Sequence, residues 1–248
     1  MTTIDIHPEG QKVEASRGTE WLGEAWRLFV QAPGIWIAII VILIVIYCLM
    51  AVVPGIGQIA TSLLTPVFTA GLMQCSRNTC DNGPLQIEQM FAGFRNNTGN
   101  LVMVGLLTLI GFALISVAAL VVLAIIGGTT LIGAIQNNAL SSVDVGSALI
   151  AILLAVLVWL LLSLPLTMAI WFAAPLVYFD GATPVNAMKC SFRACMTNWL
   201  SLSIYGLVLI VLAFFATIPF ALGWLVLLPV VAISLYVSYR DIFHGTAN

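Results

Sequence analysis

Six apolar runs, each about as long as a membrane crossing, restrict this chain to one class of fold. An α-helix rises about 1.5 Å per residue, so about 20 apolar residues cross a hydrocarbon core of about 30 Å. Ile35–Val53 is such a run, closed by Pro54 and Gly55. Ile56–Cys75 follows at once, interrupted only by small hydroxyls, Gln58 and Gln74. Leu101–Ile126 ends at Gly127 and Gly128, and Ala148–Phe179 is longer than one upright crossing needs. Pro165 and Pro175 are placed to kink it. Leu200–Ile218 and Leu222–Tyr239 form the last pair, around Pro219 and Gly223. Charged residues make up 7% of the chain and hydrophobic ones 61%, whereas a soluble domain carries about 25% charged residues. Too few polar side chains remain to cover a water-exposed surface, so lipid is the solvent. The expected fold is all-α, a polytopic bundle of six spans. Five follow if Ile56–Cys75 does not cross, and seven if Ala148–Phe179 divides.

The cations set the orientation. Lys12, Arg17, Arg27, Arg77, Arg95, Lys189, Arg193 and Arg240 are all the basic residues of the chain, and each falls between runs on one side of the membrane. The positive-inside rule places that side, with both termini, in the cytoplasm. Asp144 is the one acid expected on the far side. The first 33 residues lack an apolar h-region and a small-residue cleavage site, so the first span is expected to act as an uncleaved signal. Residues 1–18 and 244–248 read as polar tails.

A short amphipathic segment precedes each odd-numbered span. Phe29 stands before Trp36, Phe94 before Leu101 and Phe192 before Trp199 at equal spacing. Trp21, Leu22, Ala25, Leu28 and Phe29 recur at helical spacing, as do Ile87, Met90, Phe91 and Phe94, and Val185, Met188, Phe192 and Cys195. Pro66 and Arg77 are spaced like Pro229 and Arg240, and Pro165 falls at the matching place in the middle copy. Three elbow-helix-plus-hairpin repeats are therefore expected, over residues 19–78, 84–180 and 184–243, around a pseudo-threefold axis along the membrane normal. Phe29, Phe94, Phe192 and Arg240 are expected as interfacial anchors. The bland alternative for the aromatics is the lead-in helix of any multi-span protein. For Arg240–Asp241, a helix-ending anchor stands against an ion pair tying the last elbow to a neighbour.

Chemistry is scarce. No ionisable side chain interrupts the apolar cores of the runs, which counts against proton relays and cation-driven transport. Hydroxyls in the spans usually serve as interhelical hydrogen bonds. As the lining of a central cavity, the candidates are Thr61, Thr65, Pro66, Ser163, Pro165, Thr167 and Pro229. Cys75 and Cys80 share a spacing with Cys190 and Cys195, but residues five apart on a helix point about 140° from each other. Reduced, packed thiols are the expected state of all five cysteines. His7 and His244 lie in the tails, too far apart in sequence to imply a site. Zinc-peptidase, triad and phosphate-loop motifs are missing, so neither catalysis nor a cofactor is expected. A net charge of −2 without a basic run gives no footprint for nucleic acid.

Several stretches carry a resemblance. Ala187-Met188-x-x-Ser191-x-x-Ala194 with Asn198-Trp199, the lead-in Ala174-Pro175-Leu176-Val177, and Ser238-Tyr239-Arg240-Asp241-Ile242-Phe243 resemble a family of uncharacterised bacterial integral membrane proteins. The likeness runs from Trp21 to Phe243 and is most specific in the last third. In style the chain is also similar to the membrane portion fused to some glycerophosphodiester phosphodiesterases, without room for their catalytic domain or its metal ligands. The resemblance implies a bacterial inner membrane and six helices. It supplies no reaction.

The expected function is thus a non-enzymatic membrane scaffold or accessory subunit, its elbow helices meeting lipid, a protein partner or a second copy. The alternative is a channel or transporter for an uncharged or amphiphilic solute through the central cavity.

Overall fold

The computed structural model describes residues 10–136 and 145–245. Among them the regular elements are helices: α1 Arg17–Phe29, α2 Pro33–Ala51, α3 Ile56–Cys80, a 3-10 helix η1 Ile87–Phe94, α4 Thr98–Gln136, α5 Val145–Trp171, α6 Ala173–Phe179, α7 Pro184–Thr197, α8 Trp199–Thr217 and α9 Trp224–His244. Six stretches are long and apolar enough to cross a membrane, as expected from the runs. The two tight hairpins fall where Pro and Gly punctuate the sequence, between α2 and α3 and between α8 and α9. Gly127 and Gly128 do not end α4, which continues to Gln136. Each glycine costs a helix interior about 1 kcal/mol, less than an unpaired backbone group costs in lipid. Asp144 and His7 lie outside the described residues.

The chain divides into two compact units. The first comprises the residues up to Leu106 together with Met168 onward, and the second is Leu107–Thr167. In the second, α4 and α5 pair through Phe112 and Trp159, whose rings stack at 6.2 Å. Ala119, Ala151, Ala155 and Ser163 are the buried positions there, small residues that let apolar helices approach closely.

In the first unit α9 is the central helix. Two thirds of its span window (67%) is buried, against 33% or less for every other span. It packs on α1, α2, α3 and α8. Trp21, Trp36, Met73, Phe172, Tyr239 and Phe243 are the large side chains of this core. The short elements meet it differently. α1 lies across α8 and α9, and a side chain at Gly18 would collide with the carbonyl of Ser201. η1 presses its backbone into α3: Gly71 faces the carbonyl of Met90, and Gly93 faces that of Val67. α7 packs on α6 and α8.

The first and last expected copies each hold one short helix and two long ones, the middle one has the additional short helix α6, and the matched aromatics do not share an environment. Phe29 is 4% exposed and packs into the core. Phe94 is exposed and Phe192 half-buried. Of the residues one register further on, Trp36 and Leu101 are buried, while Trp199 is 61% exposed. Amphipathic spacing marks which face is apolar without saying whether lipid or protein covers it, and at α1 Gly18 admits protein.

The fourth run breaks, though at neither proline. α5 stops at Trp171, and α6 restarts at Ala173 after Phe172 leaves helical geometry (ψ 8°). Pro175 is the cause: its ring obstructs the carbonyl four residues back, that of Trp171. Pro165 is absorbed within α5, as Pro66 and Pro229 are within α3 and α9.

Candidate functional site

Several polar side chains of the first unit gather where α1 and the residues before it meet α8 and the end of α9. Asp241, on the last turn of α9, is 4% exposed. Its Oδ2 accepts from Arg17 Nε at 2.7 Å and from the indole N–H of Trp21 at 2.8 Å. Arg17 also reaches Glu20 at 2.6 Å and Glu24 at 3.4 Å. Burial works against the Arg17 charge. The hydrogen bonds to Asp241 and Glu20 and the nearby carboxylates outweigh it, holding the pKa above the ordinary arginine value. A raised pKa stabilises the fold at every pH below the unfolded value and is lost only above it, so neither mild acid nor mild alkali discharges this guanidinium. Of the two readings open for Arg240–Asp241, Asp241 makes an ion pair between elements, and its partner is Arg17 of the first elbow. Arg240 sits half-buried beside it.

The polar N-terminal stretch is not a free tail over residues 10–16. Gln11 donates its backbone N–H to the carbonyl of Ile242 and its side-chain amide to that of Asp241. Asn198, 2% exposed, clamps the strap from below. Its Oδ1 accepts from Val13 N, and its Nδ2 donates to the carbonyls of Gln11 and Ala194. Ser201 adds a bond to the carbonyl of Glu14. Carbonyls left over at the end of α9 thereby gain donors from Gln11.

His244 does not lie in a free tail; it is the last residue of α9. Tyr239 donates its hydroxyl to Asp180 Oδ2 at 2.7 Å, and His244 Nε2 lies 2.9 Å from that hydroxyl and 3.4 Å from Asp180 Oδ1. This ties α9 to the residue that ends α6. Nearby, Arg77 stacks over the Phe179 ring at 5.4 Å.

Ser191 of α7 repairs the broken fourth run. Its hydroxyl accepts from Phe172 N at 2.9 Å and donates to the carbonyl of Met168 at 2.7 Å, the two groups an unbroken helix would join directly. Cys195 offers a longer contact to the same carbonyl, at 3.5 Å. Burial pushes the Cys195 thiol up to about 12, against a lowering by the hydrogen bond to Ser191. Ser191→Ala is expected to leave the buried Phe172 N–H unpaired and the Met168 carbonyl with only the longer Cys195 contact, and to cost about 2 kcal/mol. Thermal unfolding in detergent measures this, and Ser191→Thr, which keeps the hydroxyl, should lose less.

The expected cavity residues divide between the units. Thr61, Thr65, Pro66 and Pro229 belong to the first; Ser163, Pro165 and Thr167 belong to the second. Thr65 donates to the carbonyl of Thr61 at 2.7 Å, and Thr167 to that of Ser163 at 2.8 Å. Ser163 turns back to the carbonyl of Leu160 at 2.9 Å. These hydroxyls therefore spend their protons on their own helices. A cleft of about 340 Å³ does open between α2, α3 and α9, but Ile40, Leu43, Met73, Leu228 and Leu235 make it apolar, and Tyr47 and Thr69 are its polar members. None of the seven expected residues lines it.

Asp241 with Arg17 and Trp21, the Asn198 clamp and the Ser191 bridge were not singled out as sites from the sequence. Their partners lie far away along the chain, where periodicity carries no signal. The break at Trp171 was readable, since Pro175 marks the carbonyl four residues earlier.

No curated protein and no solved structure matches the chain. A family model described as "Predicted integral membrane protein (DUF2189)" matches residues 52–178, more than half of the chain. That match includes the Ala174–Val177 lead-in and ends before the Ala187–Trp199 and Ser238–Phe243 stretches. With six apolar helices of membrane-spanning length, the chain is an integral membrane protein and belongs to the DUF2189 family.

Proposed function

We propose that this protein is a non-enzymatic scaffold or accessory subunit of a bacterial inner membrane, with both termini in the cytoplasm. The observation that carries this reading is where the polar groups are spent. Asp241, Asn198, Ser191 and Tyr239 all bond to other elements of the same chain. Thr65, Thr69, Ser163 and Thr167 turn back on their own helices, and Thr61 and Tyr205 bond to neighbouring spans, at Met50 and Ser234. A solute path needs such groups aimed at the solute, whereas a scaffold uses them to fix its shape. The one-sided cations support the cytoplasmic assignment. Lipid, together with a protein partner or a second copy, is the proposed company of the short helices.

The apolar cleft between α2, α3 and α9 is the feature in favour of the alternative, a channel or transporter for an uncharged or amphiphilic solute. Osmotic-shock measurements on proteoliposomes with neutral solutes of graded size separate the two. A scaffold leaves swelling rates at those of protein-free vesicles. Saturable flux that falls when Tyr47 or Thr69 is replaced would establish transport instead.

A further inference from the structure

Between Leu227 and Tyr239 every residue of α9 is buried except Leu228, Val231 and Leu235. These three follow one another at helical spacing and form a single apolar stripe on an otherwise enclosed helix. The stripe is one wall of the cleft between α2, α3 and α9. Leu43, Met73 and Ala232 are buried at its floor, and Ile44, 38% exposed, stands at its rim. The two hydroxyls of the cleft are spent. Tyr47 donates to Thr65 Oγ1 at 3.4 Å, and Thr69 donates to the carbonyl of Thr65 at 2.8 Å. Neither proton is left for water or a polar solute, and apolar cavities stay dry.

The cleft lies along the middle of three helices of membrane-spanning length, so lipid hydrocarbon is the medium against it. α2 packs on α3 and on α9, and α3 packs on α9. The gap between three helices in mutual contact does not admit a fourth, which with its side chains is about 10–12 Å across. A polymethylene chain is slender enough to enter, because its packing contacts lie at about 4 Å. We infer that the cleft binds one acyl chain of a bilayer phospholipid, laid along Leu228, Val231 and Leu235 and reaching Met73. The inference goes beyond the scaffold reading and needs only that the chain spans a membrane, so it stands or falls apart from the flux measurement.

The test is photo-crosslinking of the full chain in detergent with phosphatidylcholine carrying a diazirine midway along one acyl chain. Peptide mass spectrometry then maps the labelled residues. Leu207, Ile210 and Phe214 of α8 are exposed and report lipid that merely coats the spans. Label on Met73 and on Leu228–Leu235 is expected at roughly tenfold the α8 level, since contact with two further methylenes suffices for that ratio. Val231→Trp fills the cleft and should bring its label down to the α8 level while leaving α8 unchanged. Ile44→Trp at the rim makes the same test without disturbing the buried floor, and the wild-type map needs no variant. Equal label on the cleft and on α8 in the wild type would overturn the inference, as would undiminished cleft label in Ile44→Trp. An unlabelled cleft in a protein whose native mass is that of a dimer would overturn it in favour of a second copy covering the site.

Discussion

Asp241→Ala is expected to cost about 3 kcal/mol, lowering the midpoint of thermal unfolding in detergent by roughly 10 °C. The carboxylate is almost fully buried and serves two donors from α1, the Arg17 guanidinium and the Trp21 indole. Its removal strands both, and Trp21 has no exposure through which water could replace the lost acceptor. Arg17 keeps some contact with solvent and with Glu20, which holds the loss at the lower end of the range for broken buried pairs. Asp241→Asn retains an acceptor for the indole and should cost less. Arg17→Met combined with Asp241→Leu should recover part of the loss, because no charge is then left unpaired. Equal stability of Asp241→Ala and wild type would mean that α1 is not held in this way.

Gly71→Val is expected to cost about 3 kcal/mol by separating η1 from α3. A side chain at Gly71 would meet the carbonyl and Cα of Met90, and one at Gly93 would meet the carbonyl of Val67. These obstacles are backbone atoms, which cannot turn aside as a side-chain tip can. Displacing η1 would also open the edge-to-face contact of Phe68 with Phe94, at 5.2 Å. Gly71→Ala should cost less but keep the sign. Gly23→Ala makes the contrasting case. It lies in α1 with nothing within 4 Å of the added methyl, so reduced freedom of the unfolded chain should stabilise the protein by a few tenths of a kcal/mol up to about 1. Thermal unfolding of the three variants measures all these differences. A Gly71→Val protein as stable as wild type would show that η1 does not rest on α3.

The sequence was most informative where a physical requirement is local. Spans follow from run length, and the hairpins at Pro54–Gly55 and Pro219–Gly223 follow from residues that cannot continue a helix. Amphipathic faces were also legible, but what covers them was not. Phe29 and Phe192 have the same spacing to the next aromatic, yet one is in the core and the other only half-buried. Gly18 makes the difference at α1, and its role depends on Ser201, far along the chain. The polar network was hidden for a similar reason. Asp241 and Asn198 read as ordinary helix-end residues until Trp21, Arg17 and the strap at Gln11 are brought to them. The hydroxyls of the spans read as a candidate lining because composition records that a threonine is polar, not that its proton goes to the carbonyl four residues back.

Orientation is the claim on which the functional reading depends, and reporter fusions at the loops test it most directly. Truncation fusions after Asn82, Gly181 and His244 should give cytoplasmic reporter activity, and those after Pro54 and Phe220 periplasmic activity. A pattern in which His244 and Asn82 report opposite sides, or in which all five positions report one side, would contradict a six-span protein with its cations facing the cytoplasm.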